Sequence, residues 1–301
     1  MILIVGASGF LGREVASLLL SQGQQVRLLV RTPAKVDDLR QRGAEIMQGD
    51  LVDPPSLERA CQGADEVLAA AHSLLGKGRY KSEAVDDAGH RDLIDAAKKA
   101  GVAHFVYTSL LGAAPDHPID FFRTKYRVEE YLKASGLSYT ILRPSAFMEW
   151  HAHIFNGKAV LETGKTSLLG KGTKPRNFVA VRDVAHFTVL ALTEPKLKRR
   201  TLNVGGPGNF TNNQVAQLYG KLAGITPKVS HLPPAMARVL SVVLKPFQPG
   251  VSRIMYMNSL PDDAFSETFD PAALLAEFPM HLTTLEEFVR ERVAEARQQS
   301  G

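Results

Sequence analysis

The chain has 301 residues, 45% of them hydrophobic and 22% charged, values that suit one large α/β domain or a domain carrying a smaller lobe and exclude a disordered or low-complexity chain. Thirty-six Lys and Arg against 31 Asp and Glu give a net charge of +5, but the basic residues are scattered. The densest run, "PKLKRR" (195–200), is short and lacks interleaved aromatics, so no nucleic-acid partner is expected, and the single cysteine, Cys61, excludes a disulfide framework and a Cys-rich zinc site.

In chain order, the apolar run "MILIV" leads straight into "GASGFLG" (6–12) and then the helical pattern "REVASLLLSQG". Further strands are expected at 26–30, 45–49, 66–70, 104–109 and 138–144. Helical periodicity fills "DLIDAAKKAG" (92–101) and "RVEEYLKASG" (127–136), each closing on a glycine. Repeated βα units predict a doubly wound parallel sheet. The lone cysteine and the absence of a basic, cleavable leader lead to the expectation of a cytoplasmic protein, and no run of about 18 apolar residues predicts a transmembrane segment.

The glycine turn has a physical reading. Gly6 supplies the backbone angles of the tight turn, Gly9 lets a pyrophosphate approach, and Gly12 lets the helix pack on the strand; Ser8, Phe10 and Leu11 complete a cofactor-binding turn whose helix N-terminus faces the phosphates. At the end of the second strand a carboxylate would select a ribose 2′-hydroxyl. Here "LLVRTPAK" places Arg31 at that point, with Thr32 and Lys35 beside it and the nearest acids, Asp37 and Asp38, inside the next helix. NADP(H) is therefore expected in preference to NAD(H).

After Pro144 the rhythm breaks. Glycine-spaced short strands are expected over 157–172, and a strand in "RNFVAVRDVAHFTVLAL" (176–192) runs into Asp183 as the N-cap of a helix. A strand at 201–206 and a helix at 211–224 follow, and a helix over 282–296 with Thr283 or Thr284 as cap ends the pattern. The expected organisation is a nucleotide-binding core over 1–144, to which segments of 176–224 return, and a smaller substrate or partner lobe over 145–301. The apolar stretch 235–260 is read first as ordinary core packing, with a ligand cap, a subunit contact or a membrane-surface contact as the alternatives.

The glycine turn, "GDLVDPPSL" (49–57), "HFVYTS" (104–109), Lys125 and "YTILRPSAFME" (139–149) together resemble the atypical extended short-chain dehydrogenase/reductase superfamily, in its NmrA-like branch. That resemblance implies a Rossmann fold with Asp50 and Leu51 at the adenine and Ala70, Ala71 and His72 along the pyrophosphate and ribose. It also implies that Thr108 and Lys125 meet the cofactor, with Lys125 on the nicotinamide ribose hydroxyls, and that Pro144 to Phe147 lie against the nicotinamide. A homodimer through core helices is a further family-level expectation.

The chain departs from the family's active pattern. Members that handle an oxygen pair a tyrosine with the lysine four residues later; four before Lys125 stands Phe121, and the usual serine position is Leu110. Ser109 or Thr108 could take the serine's place, and Lys125 could act as the acid or only hold the ribose. Tyr107 and Tyr126 read as packing residues, and His72 and His117 as minor acid candidates. Phe121, Glu149, Trp150 and His151 are expected at a substrate pocket; on a strand His151 and His153 would share a face, but a third metal ligand is missing, so no metal is expected. The loop "GKGRY" (76–80) reads as a flap over the cofactor or as plain surface. Two functions stay open: an NADPH-dependent reductase of a small apolar acceptor such as a quinone or enone, and a non-catalytic NADP(H) sensor or assembly protein acting on a protein partner.

Overall fold

The computed structural model describes residues 1–300. Its strands are β1 (Ile2–Val5), β2 (Val26–Val30), β3 (Glu45–Gln48), β4 (Glu66–Ala69), β5 (His104–Thr108), β6 (Tyr139–Pro144), β7 (Ala146–Phe147), β8 (Lys165–Leu169), β9 (Arg176–Val179), β10 (Arg200–Val204), β11 (Asn209–Phe210) and β12 (Lys228–Leu232). Seven of them form one sheet in the order β10-β6-β5-β4-β1-β2-β3. The pairs from β3 through β1 and β4 to β6 are parallel, with Ile4 opposite Leu28 on one side and Leu68 on the other. A central parallel strand is covered on both faces, which is why β1 reads as an unbroken apolar run with all four residues buried. The strand order reverses between β1 and β4, and that is where a doubly wound sheet opens a crevice beyond its strand ends.

The chain divides into two compact units. The first comprises Met1–Arg143 and Val184–Asn203. In it, Leu3, Val5, Leu57, Leu93, Phe105 and Tyr107 are part of a contiguous apolar core between the sheet and its helices. The helix Asp120–Ala134 lies in this unit and buries Phe121, Thr124, Lys125, Val128, Glu129 and Leu132. Burying a lysine and a glutamate on the same face as three apolar residues requires internal partners for both charges.

The second unit comprises Pro144–Asp183 and the chain from Val204 onward. Met148, Phe178, Tyr219, Phe288 and Val289 belong to its core. Its helix Asn212–Ala223 starts at a full capping box, in which Thr211 and Gln214 each bond the other's backbone N–H. Thr284 does the same with Glu287 ahead of the helix Leu285–Ser300.

Three local expectations are corrected here. The segment 157–172 forms the helix Lys158–Thr163 and the single strand β8, not a series of short strands. Asp183 is not an N-cap: the helix begins at Val181, whose N–H donates to the distant Glu149 carboxylate at 3.0 and 3.1 Å, while Asp183 accepts from the N–H and hydroxyl of Thr283. The segment carrying His151 and His153 is a wide helical turn, Met148–Gly157, so the strand spacing does not apply to them. Among the described residues no helix is long and apolar enough to cross a membrane.

Candidate functional site

The turn after β1 is built from its glycines outward. Gly6 has φ +104°, where an L side chain is strained, and a Cβ on it would lie 2.6 Å from the Ala71 nitrogen. A Cβ on Gly12 would lie 2.4 Å from the Gly6 carbonyl oxygen, so the helix Phe10–Ser21 packs on the turn only without a side chain there. Gly9 differs. It sits at the helix N-cap with ordinary negative φ, its N–H donates to the Gly6 carbonyl at 3.0 Å, and a Cβ on it would meet nothing nearer than 3.4 Å. The fold therefore requires Gly6 and Gly12, whereas the bare backbone at Gly9 is left open at the helix N-terminus.

A cleft of about 350 Å³ lies over this turn, lined from the carboxyl ends of β1, β2 and β4. Of the sequence-predicted residues it gathers Gly6, Ser8, Gly9, Arg31, Lys35, Asp50, Leu51, Ala70, Ala71 and His72. Thr32 is exposed at the start of the turn Pro33–Val36, and Phe10 is also exposed, while Leu11 and Gly12 are buried on the helix; these four do not line the cleft.

The charges at the end of β2 are arranged by sign. Asp37 pairs with Arg40 at 2.6 Å and Asp38 with Arg13 at 2.7 Å, and the hydrogen bond from Arg13 holds the Asp38 carboxyl below its ordinary range. Both acids near the strand end are thus neutralised locally, and Arg31 and Lys35 line the cleft at this strand end. The Arg31 guanidinium stacks 4.8 Å from the ring centre of Tyr80, and Arg79 stands 5.0 Å from the same ring and 3.8 Å from Asp50. Tyr80, Arg79 and Ser73 were not among the sequence-predicted site residues; "GKGRY" read as a flap over the cofactor or as plain surface, and nothing local marks a tyrosine that an arginine about fifty residues away will cover.

Beside the cleft, in the same unit, lies a buried polar cluster. Asp86 is fully buried and accepts the Ser73 N–H at 3.0 Å and the Ser82 hydroxyl at 2.8 Å. Lys125 is 2% exposed; its Nζ donates to the Thr108 carbonyl at 3.2 Å and stands 4.0 Å from Asp86. Burial lowers the Lys125 pKa, and the charges of Asp86 and Glu129 work against that shift. The Tyr107 ring lies 4.9 Å from the ammonium and the Phe121 ring 5.8 Å, so position 121 does meet the lysine, with a ring face and no hydroxyl. Burial drives the Tyr107 phenol well above its ordinary range.

Ser109 is buried and donates its hydroxyl to Glu129 at 2.5 Å; the same carboxylate takes two bonds from Arg143 at 2.9 and 2.5 Å. His117 stacks on Phe122 at 3.9 Å and accepts the Ile119 N–H, which makes it part of the loop's packing. Thr108, Ser109, Phe121 and Lys125 do not line the cleft of the glycine turn. Pro144, Phe147, Glu149, Trp150 and His151 belong to the second unit. There the Glu149 carboxyl, raised by burial, serves the helix start at Val181, and Trp150 and His151 meet Phe155 edge-on at 5.1 and 5.8 Å. Among the described residues no three His, Cys, Asp or Glu side chains are grouped to hold a metal.

The sequence is 32% identical to an NAD(P)H azoreductase of Xenophilus azovorans over 74% of each chain. It is 29% identical to a photosystem II assembly factor, Ycf39, of Synechocystis over 96% of this chain and 90% of that one. Among solved structures, an Escherichia coli NADPH-dependent quinone oxidoreductase complexed with NADPH superposes with a TM-score of 0.77 at 27% identity, covering 97% of this chain and 99% of that one. A sequence profile described as the NmrA-like family matches residues 1–289, and the chain belongs to that family.

Proposed function

We propose that this protein is an NADPH-dependent reductase of a small, apolar, conjugated acceptor such as a quinone. The observation that carries the reading is the pairing of an open Gly9 backbone at a helix N-terminus with a cleft wall whose cations, Arg31 and Lys35, face no unneutralised acid from the adjacent helix. A pyrophosphate fits the first feature and a ribose 2′-phosphate the second. The likeness to an NAD(P)H azoreductase and to an NADPH-dependent quinone oxidoreductase supports the reaction class.

When bound, NADPH supplies a hydride. The chain's own residues hold the dinucleotide in one orientation, and Lys125, kept in place by Asp86 and the Thr108 carbonyl, is assigned to the nicotinamide ribose. Hydride addition to a quinone leaves a hydroquinone anion, which takes its proton from water; a phenol at position 121 is not needed. Ser109 is assigned a structural role, because its hydroxyl is committed to Glu129.

A second reading is favoured by one specific observation: the serine and tyrosine positions carry Leu110 and Phe121, and the neighbouring hydroxyl of Ser109 is already engaged. A protein so equipped could bind NADPH and signal its redox state to a protein partner, a reading the likeness to assembly factors also suits. Calorimetric titration with NADPH and NADH, followed by NADPH oxidation on adding quinones and azo dyes, separates the two. Binding with turnover is the expected result. Binding without turnover on any acceptor would leave the sensor, and failure to bind either nucleotide would overturn both.

A further inference from the structure

The stretch 235–260 does not pack as ordinary core. It forms two helices, Pro234–Leu244 and Pro249–Ser259, joined in a hairpin in which the Ser252 hydroxyl donates to the Ser241 carbonyl at 2.5 Å. The first helix buries Ala237 and Ser241 and turns Met236, Val239, Val242 and Val243 away from them, at 53%, 61%, 67% and 57% exposure, with Phe247 just beyond at 75%. Positions 236, 239 and 243 follow helical spacing and 242 lies beside them, so the four make one continuous apolar stripe. Scattered exposed valines are ordinary; a row of them on one helix face, extended by a phenylalanine, is not.

The charge along this stretch of the chain has one sign. From 204 to 261 the sequence contains five Lys and Arg and no Asp or Glu. Arg238 and Lys245, seven residues apart, share one edge of the stripe and are both exposed. The Arg238 guanidinium lies 4.5 Å over the Tyr256 ring, which orients it while its N–H edges stay available to an oxyanion.

We infer that this helix face docks on an anionic lipid surface, with the valines and Phe247 entering the acyl boundary and Arg238 and Lys245 reaching the headgroup phosphates. At 11 residues the helix is far too short to span and would lie in the plane of the interface. Charge argues against a second copy as the occupant, because a two-fold contact would set the like-charged Arg238 and Lys245 edges against each other. A protein partner is less well matched, since aliphatic β-branched residues are poor hot spots, whereas a bilayer asks only for apolar surface and negative charge. Such docking would also bring the protein to membrane-dissolved acceptors, a corollary that rests on the proposed reductase function; the docking itself does not.

The test is co-sedimentation of the full chain with phosphatidylcholine vesicles, with and without phosphatidylglycerol, at low and high salt. The expected result is partition onto the phosphatidylglycerol vesicles alone, weakened by salt. The double variant R238Q/K245Q should reduce it roughly thirtyfold, and V239D/V243D should abolish it. Both variants alter solvent-facing side chains, and unchanged NADPH titration and circular dichroism check that they fold. Equal partition onto neutral vesicles, or variants that bind like the parent, would overturn the inference. So would a dimer in light scattering that V239D/V243D splits, which would put a second copy on the stripe. Absence of partition would overturn it too, and salt-sensitive retention on polyglutamate resin would then assign the face to an acidic polypeptide.

Discussion

Lys125 and Asp86 face each other at 4.0 Å with both side chains buried, the carboxylate held by Ser73 and Ser82 and the ammonium by the Thr108 carbonyl. The distance is long for a direct bond, so the aspartate acts on the lysine through its charge. An ammonium removed from water needs such a counter-charge close by, or it gives up its proton. Asp86 and, more weakly, Glu129 therefore work against the fall in the Lys125 pKa that burial produces.

Replacing Asp86 with Asn should destabilise the protein by about 3 kcal/mol, the cost of leaving a buried charge without its partner. Adding Lys125→Met to that variant should recover part of the loss, because the unpaired cation goes with it. Urea denaturation of the parent, both single variants and the double variant measures the coupling. Additive losses would show that the two groups do not sense each other.

The three glycines of the first turn make a sharper prediction, because they are required for different reasons. Gly6→Ala places a side chain at φ +104° and 2.6 Å from the Ala71 nitrogen, and should cost roughly 2–4 kcal/mol in stability. Gly9→Ala meets only an ordinary 3.4 Å contact and should cost less than about 1 kcal/mol, yet weaken dinucleotide binding by an order of magnitude or more. Thermal melts and calorimetric titration of the two variants test this together. A Gly9 variant that binds the nucleotide as the parent does would remove the glycine turn from the cofactor site.

At the end of β2, Arg31→Ala should lower NADPH affinity about tenfold to a hundredfold, the worth of a charge-assisted hydrogen bond, and leave NADH affinity nearly unchanged. The loss should shrink in high salt, because Arg31 is exposed. Titration of both nucleotides at two ionic strengths gives the answer, and equal losses for the two would mean that Arg31 does not sense the 2′-phosphate.

Much of this was legible in the sequence, for identifiable reasons. The doubly wound parallel sheet followed from apolar runs separated by helical periodicity, and the tight turn after β1 from glycines whose backbone roles are local, whereas the strand order β10-β6-β5-β4-β1-β2-β3 needed the structure. Lys125 was singled out by the resemblance to the NmrA-like branch, but its environment was not legible: nothing in "SEAVDDAG" marks Asp86 as buried, and only the fold brings it to Lys125. Asp183 misled for a related reason. It had the right chemistry for an N-cap, but Glu149, 32 residues earlier, had already taken the helix's first N–H. Core packing led among the readings of 235–260, ahead of a ligand cap, a subunit contact and a membrane-surface contact, because composition reports that a segment is apolar, not which face the fold covers.

His90 supplies a test that reaches stability through pH. The ring is fully buried against Tyr107, its Nδ1 lies 2.8 Å from the Val85 carbonyl, and its Nε2 has no hydrogen-bond partner. Burial, reinforced by the Lys125 charge, holds its pKa down at about 4, against 6.5 for an ordinary histidine. Between those values the unfolded chain binds a proton that the folded chain refuses, so stability falls as pH drops through this window and is unaffected by this group above it. Its contribution to the loss should be roughly 2 kcal/mol by pH 5, approaching about 3 kcal/mol below pH 4. His90→Phe keeps the ring, gives up the bond to Val85 at a cost of about 1 kcal/mol at pH 7, and removes the titration. Denaturation midpoints measured at pH 7 and pH 5 should therefore cross, the parent being the more stable at pH 7 and the variant at pH 5. Parallel losses in the two proteins would show that His90 already carries its proton in the native state or that its burial is relieved before unfolding.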